Sequence, residues 1–284
     1  EPVSGAATSV AAIAPRQAAG ERNVQSQDGG PTSAYAPNAR HYSYSEMAQV
    51  HPLAVAGATC SGISGETAAG GSLDCAINAT ANGGYATAIG YGAYTNGIQA
   101  TALGSQSVAS GIHCTAVGGG AYAGGYYGTS LGFTSEALGD RSSAFGANAS
   151  ALGGYSTALG YGATAAGAQS VALGAFSVAG DNATALGANS SAKGDDSAAV
   201  GYGAYAGGRN AVAVGFQASA GSASSGTQAF ALGAQSVASA NNSTAIGGAI
   251  DLNGNGTIEA NEETTASGGL SMALGSASQA TQNN

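Results

Sequence analysis

The feature that most restricts this chain is a short period written in glycine. Triplets ending at Gly90, Gly104, Gly118, Gly132, Gly146, Gly160 and Gly174 follow one another at intervals of 14 residues. The series continues through Gly187, Gly201, Gly215, Gly233, Gly247 and Gly275, with gaps of 13, 14, 14, 18, 14 and 28. A second glycine stands seven residues before the first in every repeat except one, where Ala240 takes its place. The half between the two glycines therefore has constant length, and every deletion or insertion falls in the other half. That half must hold a solvent-facing turn, where extra residues disturb nothing packed.

Seven residues are too few for a helix and a turn, but they suit a strand of about five closed by a tight glycine corner. Each repeat then forms one coil, and the fold class expected is all-β: a parallel β-roll or solenoid of about 13 coils. Stacked at about 4.8 Å per coil, these make a rod roughly 60 Å long. Composition agrees, with 49 glycines in 284 residues, 7% charged residues and no Trp. Such a chain has no Leu-rich globular core, and it lacks the every-third-residue glycine of collagen. A net charge of −9 and the absence of a Lys/Arg cluster argue against nucleic acid as a partner. No apolar run reaches the roughly 18 residues of a membrane helix, so no membrane span is expected in this chain.

Within the constant half, side chains alternate between two faces. One face carries only small groups, such as Ala86 and Ala88, Ala100 and Ala102, Cys114 and Ala116. The other carries Ile89, Leu103, Val117, Leu131, Phe145, Leu159 and their successors to Leu274, with Thr or a larger apolar group two residues earlier. A strand apolar on both faces is one buried on both sides. A flattened coil has room inside only for the alanines, so the aliphatic column needs another chain. Thirteen such side chains at about 2 kcal/mol each would place up to about 26 kcal/mol in an interface. An obligate oligomer follows.

Repeats such as Gln169-Ser-Val-Ala-Leu-Gly174 and Asn182-Ala-Thr-Ala-Leu-Gly187 resemble the head repeats of trimeric autotransporter adhesins of the YadA type. The resemblance covers about residues 70 to 280. It implies a left-handed roll, an intertwined homotrimer, and display on the outer surface of a Gram-negative bacterium. It also implies attachment, with a host matrix protein, a glycan, an abiotic surface or sister molecules as partner, as in biofilm growth and autoaggregation.

The domain division expected is a low-complexity N-terminal arm at 1–50, a degenerate capping coil at 51–76, and head repeats at 77–284 with an insertion at 248–264. In the cap, Ser72-Leu-Asp-Cys-Ala76 echoes the triplet pattern, and Cys60 with Cys75 is a disulfide candidate. Cys114 falls in the small-residue column, where a thiol acts as a small hydrophobe.

The sharpest chemical motif lies in the insertion, from Asp251 to Glu262. It places oxygens at Asp251, Asn253, Asn255, Glu259 and Glu262, a glycine at position six (Gly256), and the Thr257 carbonyl at position seven, the spacing of a calcium loop. With three carboxylates at ligand positions, Ca2+ binding of the weak extracellular kind is expected, with Kd of about 10⁻⁴ to 10⁻³ M. The alternative is a polar, Asn/Gly-rich turn.

Aromatics also fall in columns. Tyr91, Phe133, Tyr161, Tyr202 and Phe216 follow the triplet glycine, Tyr94, Tyr122 and Tyr205 lie three residues further on, and Tyr85, Tyr127 and Tyr155 sit five before it, with His113 in that last column. Tyr91, Tyr94, Tyr122, Tyr161, Tyr202 and Tyr205 form a candidate contact surface, because Tyr gives large contact area at small entropic cost. The competing reading is a ladder that packs coil on coil or chain on chain. Asp140, Asp181, Asp195 and Arg209 at the glycine corners read as turn residues in intra- or interchain ion pairs.

The function expected is that of a non-enzymatic cell-surface adhesin head. The runner-up is a structural subunit of an extracellular filament or sheath, joined end to end through the N-terminal arm. A third reading, an ice-binding solenoid, rests on the Thr87, Thr101, Thr115 column, which Val171, Val212 and Phe230 interrupt. No cluster of Asp, Lys and Arg recurs on successive coils, so no enzyme is expected.

Overall fold

The computed structural model describes residues 72–221 and 227–283. The arm at 1–50, most of the cap, Cys60, His41 and His51 lie outside the described residues. From Leu73 onward the chain alternates between two kinds of strand. β1 (Leu73–Cys75), β3 (Thr87–Ile89), β5 (Thr101–Leu103) and every later odd strand to β27 (Met272–Leu274) form one parallel sheet. β2 (Thr80–Ala81), β4 (Tyr94–Thr95), β6 (Val108–Ala109) and every later even strand to β28 (Gln279–Ala280) form the other. Each sheet has 14 strands, and its spatial order is its order along the chain. The register is one repeat per step, with Thr87 opposite Thr101 and Ile89 opposite Leu103. No described helix is long and apolar enough to cross a membrane.

One sequence expectation changes. The strands have three and two residues rather than about five, because each corner consumes more chain than a single glycine. At each corner a residue with positive φ follows two after the glycine: Gln99 at 54°, His113 at 56°, Tyr127 at 56°, Tyr155 at 59°. The turn then closes with a bond from the next N–H to the glycine carbonyl, as from Ala100 to Gly97 at 3.3 Å, the pattern of turns whose third residue is left-handed. The thirteen glycine-marked coils are preceded by the degenerate coil that Ser72–Ala76 announces, which makes fourteen. The extra one is β1 with β2, where Ala76, at φ 122°, occupies the place that glycine holds in the other triplets.

The interior is made of methyl groups. Ala88, Ala102, Ala116 and their equivalents on the odd strands are fully buried, and so are Ala109, Ala123, Ala137 and theirs on the even strands. Where serine replaces alanine, its hydroxyl usually finds the carbonyl three residues back, as Ser107 does at Gly104 (2.9 Å) and Ser170 at Gly167 (2.6 Å). Serine therefore suits the core because the turn supplies an acceptor.

The glycines are set by how closely neighbouring coils approach. At Gly104, φ is +135° and an added Cβ would lie 2.5 Å from the Gly118 carbonyl oxygen of the next coil. At Gly97 the φ is ordinary, but a Cβ would run into the carbonyl of Gly111. Both corners are thus stacked backbone on backbone, with no space for a side chain.

Length variation falls at the corners. The short coil and the four-residue insertion both occur at the corner leading from an even strand to the next odd one. The long insertion occupies the opposite corner, between β25 (Thr244–Ile246) and β26 (Thr265–Ala266).

Candidate functional site

Three surfaces carry chemistry. The first is the outward face of the odd strands. With alanine turned inward, Leu103, Leu131, Leu159, Leu186, Leu232 and Leu274 point outward from a single chain, between 38% and 59% exposed. The remaining members of the column, Ile89, Val117, Phe145, Leu173, Val200, Val214 and Ile246, are half-buried by one another. The result is a continuous aliphatic rail along the stack. Monomeric soluble proteins rarely expose so long an apolar patch.

The second is the inserted loop. Gly247 closes β25, and the chain departs at Gly248 to rejoin the stack at Thr264, whose hydroxyl donates to the Gly275 carbonyl at 2.9 Å. From the last coil, the Gln279 amide donates to the carbonyls of Ala260 (3.0 Å) and Glu263 (2.9 Å), fixing the back of the loop to the stack. Inside the loop, the N–H groups of Gly254 and Gly256 donate to Asp251 at 2.6 and 2.8 Å. The N–H of Asn255 donates to the Asn253 side chain at 2.9 Å, and that of Thr257 to Asn255 at 2.8 Å. Glu262 is fully buried, although it is charged. It accepts from the N–H groups of Leu252 (2.9 Å), Asn253 (3.3 Å) and Glu259 (3.1 Å).

These bonds have electrostatic consequences. The Gly256 N–H, with lesser help from Gly254, holds the Asp251 carboxyl below its usual range. The Asn255 amide, followed by Glu262, does the same for Glu259. The loop thus gathers the side chains of Asp251, Asn253, Asn255, Glu259 and Glu262 into one hydrogen-bonded unit. Thr257, expected to offer its carbonyl, also donates its hydroxyl to Asn255 at 2.6 Å. Among the described residues, no three His, Cys, Asp or Glu side chains form a metal-holding group by themselves. The loop carries its carboxylate and amide oxygens close together, and oxygen is the ligand type that hard cations take.

The third surface is the set of corner columns. Tyr91, Tyr161 and Tyr202 stand half-exposed at the corner after the odd strands. Tyr161 meets Phe176 edge-on at 5.1 Å, and Tyr202 stacks on Phe216 at 5.7 Å, each across neighbouring coils. Tyr94, Tyr122 and Tyr205 lie instead on the even strands and face outward, Tyr122 accepting a hydrogen bond from Ser110 at 3.3 Å. The six tyrosines therefore do not form one surface. At the other corner His113 stacks on Tyr127 at 5.0 Å, and Arg141 lies over the rings of Tyr127 and Tyr155.

Within one chain, the corner aspartates divide between an ion pair and main-chain bonds. Among the described residues the ion pair is Arg209 with Asp195, at 3.6 Å and well exposed, an arrangement worth little. Asp140 and Asp181 instead accept from the main-chain N–H of Tyr126 (3.0 Å) and Ala168 (2.9 Å) one coil earlier, and Asn241 does so from Thr227 (3.1 Å). These acceptors cap N–H groups that the ladder leaves over. Cys75 ends β1 and is disulfide-bonded, while Cys114 is a free thiol in the core, pushed up to about 11 by burial.

The molecule is thus a parallel β-roll repeat protein whose business faces outward: an apolar rail, an oxygen-rich loop and corner columns of aromatic residues. A sequence model described as the YadA head domain repeat matches residues 77–93, 96–121, 123–149, 151–177, 179–204, 224–249 and 266–284, and the chain belongs to that family. Its heads are surface-exposed adhesin regions, generally non-enzymatic, and the family forms trimers. A search of individual curated proteins found no match.

Proposed function

We propose that this chain is the head of a homotrimeric cell-surface adhesin that works by binding, with no catalytic step. The observation that carries the reading is the aliphatic rail. A family of repeats that turns alanine inward and leucine outward can be stable in water only if copies of itself hide the leucines. The three-fold assembly places rail against rail and leaves the corner columns available for partners at the bacterial surface. The test is sedimentation of the purified chain at micromolar concentration. The expected mass is about 80 kDa, three times the chain's 26.7 kDa. Replacing Leu131 and Leu159 together with Asn abolishes that species, and a well-folded single protomer of the unaltered chain overturns the proposal. Micrographs separate the adhesin from a filament subunit, since discrete rods of about 67 Å follow from fourteen coils at about 4.8 Å.

Within this reading the loop at Asp251–Glu262 binds Ca2+. Asp251, Asn253, Asn255, the Thr257 carbonyl, Glu259 and Glu262 supply the oxygens, and the bonds from Gln279 would transmit the gain in order to the last coil. Calorimetry of calcium binding to the unaltered head should show a heat that Glu262→Ala removes. Equal heats would mean that the loop is only a turn.

A further inference from the structure

At the corner where each coil begins, Tyr126 and Tyr127, Asp140 and Arg141, and Gly154 and Tyr155 occupy the same two places on three successive coils. Tyr126, Tyr127, Asp140, Arg141 and Tyr155 line one shallow open cleft of about 320 Å³, at the small end of the range for sites that hold organic ligands. Tyr126, Tyr127 and Tyr155 are all more than half exposed, although His113 stacks on the Tyr127 ring and Arg141 lies over those of Tyr127 and Tyr155.

Two charged groups sit side by side here without pairing. Asp140 spends one carboxylate oxygen on the N–H of Tyr126 at 3.0 Å. The Arg141 guanidinium lies 5.1 Å from the Tyr155 ring centre and 5.9 Å from that of Tyr127, and donates to the Tyr155 hydroxyl. Arg141, Lys193 and Arg209 are the only cationic Lys or Arg side chains among the described residues. Arg209 faces a carboxylate; Arg141 is held instead by tyrosines. A stacked guanidinium keeps its edge donors directed outward.

Gly154 makes the opening. A Cβ there would meet only the Asp140 carbonyl oxygen, at 3.9 Å. Ile112 and Ile98 stand at the matching place two and three coils before Asp140's own, so the backbone accepts a large side chain there.

We propose that this cleft binds a neutral saccharide through a pair of adjacent hydroxyls. The inference rests on the adhesin reading and names a ligand class for it. The apolar face of a pyranose packs on an exposed tyrosine ring, while adjacent hydroxyls donate to the free Asp140 oxygen and accept from Arg141. The carboxylate and guanidinium sum to zero charge, which gives the site no preference for an ion. The chain's net charge of −9 further disfavours an acidic sugar at long range.

The test uses the assembled head and saturation-transfer NMR, with disaccharides ending in galactose, glucose, mannose or N-acetylglucosamine, and with sialyllactose as the charged probe. At least one neutral disaccharide is expected to receive saturation at its ring protons. Gly154→Ile and Arg141→Gln should each weaken that binding tenfold or more while melting temperature and oligomer mass stay unchanged. No transfer to any neutral probe, binding indifferent to Gly154→Ile, or a preference for sialyllactose overturns the proposal. If saccharide binding fails while the head still attaches to surfaces, this site is wrong and the adhesin reading stands. If attachment fails as well, both fall.

Discussion

The coil stack and the inserted loop bury main chain in opposite ways. In the stack, coils approach until glycine is needed at the corners and almost only alanine or serine fits inside, so main-chain groups bond coil to coil and large side chains are absent from the interior. In the loop, the chain leaves the ladder and its N–H groups turn to carboxylates and amides supplied by its own sequence. The largest fully buried side chains of the stack are Thr95 and Cys114, whereas that of the loop is Glu262. One region is made rigid by subtraction and the other by polar side chains that a ligand can also use. The consequence is that the stack tolerates almost no added atom, while the loop depends on its particular atoms.

Gly97→Ala and Gly254→Ala put that contrast to its hardest test. The first drives a methyl into the next coil's backbone, whereas the second meets nothing within 4 Å and only a φ of +72°. Thermal unfolding should show a loss above about 4 kcal/mol for Gly97→Ala, with coils on one side of the change detached, and about 1–2 kcal/mol or less for Gly254→Ala. Comparable losses would erase the distinction.

A middle-sized effect concerns the core's free thiol. Cys114 titrates near 11 when folded, against about 9.0 when unfolded. Below pH 9 both states keep the proton, so the thiol adds no pH dependence. Above pH 9 the unfolded state loses its proton first, and stability falls until about pH 11, by on the order of 2 kcal/mol. Urea unfolding at pH 8 and pH 11 should show this extra loss in the unaltered chain and not in Cys114→Ala.

The smallest effect has the opposite sign. Thr95 occupies an inner position that is alanine in the flanking coils, and its hydroxyl is buried with no partner. Removing an unsatisfied hydroxyl restores up to about 1 kcal/mol, against which the lost methyl counts. Thr95→Ala should leave melting temperature equal or slightly higher, and a clear fall would mean that the hydroxyl has a function in the core.

Much of the stack was legible because steric rules write themselves into residue size. The Ala88, Ala102, Ala116 column and the glycine spacing state which side faces in and how near the coils lie. Strand length was less legible, since Gln99, His113 and Tyr155 hold a backbone conformation for which their side chains give no hint. The fourteenth coil was half-hidden because Ala76 stands where glycine was sought. That the loop's polar side chains lie together could be read from the sequence, as they all fall within twelve residues. The main-chain bonds of Asp140 and Asp181 were not legible, because a main-chain N–H has no letter in a sequence. The cleft beside Arg141 was missed for a related reason: it is assembled across three coils, and shows in the sequence only when the chain is written in rows of fourteen.

Because each coil touches only those immediately above and below it, the molecule behaves as a ruler graduated in whole repeats. Copying or deleting a fourteen-residue unit changes how far the tip stands from its base without altering any core contact elsewhere. Reach can therefore evolve by counting, independently of whatever chemistry the flanks acquire.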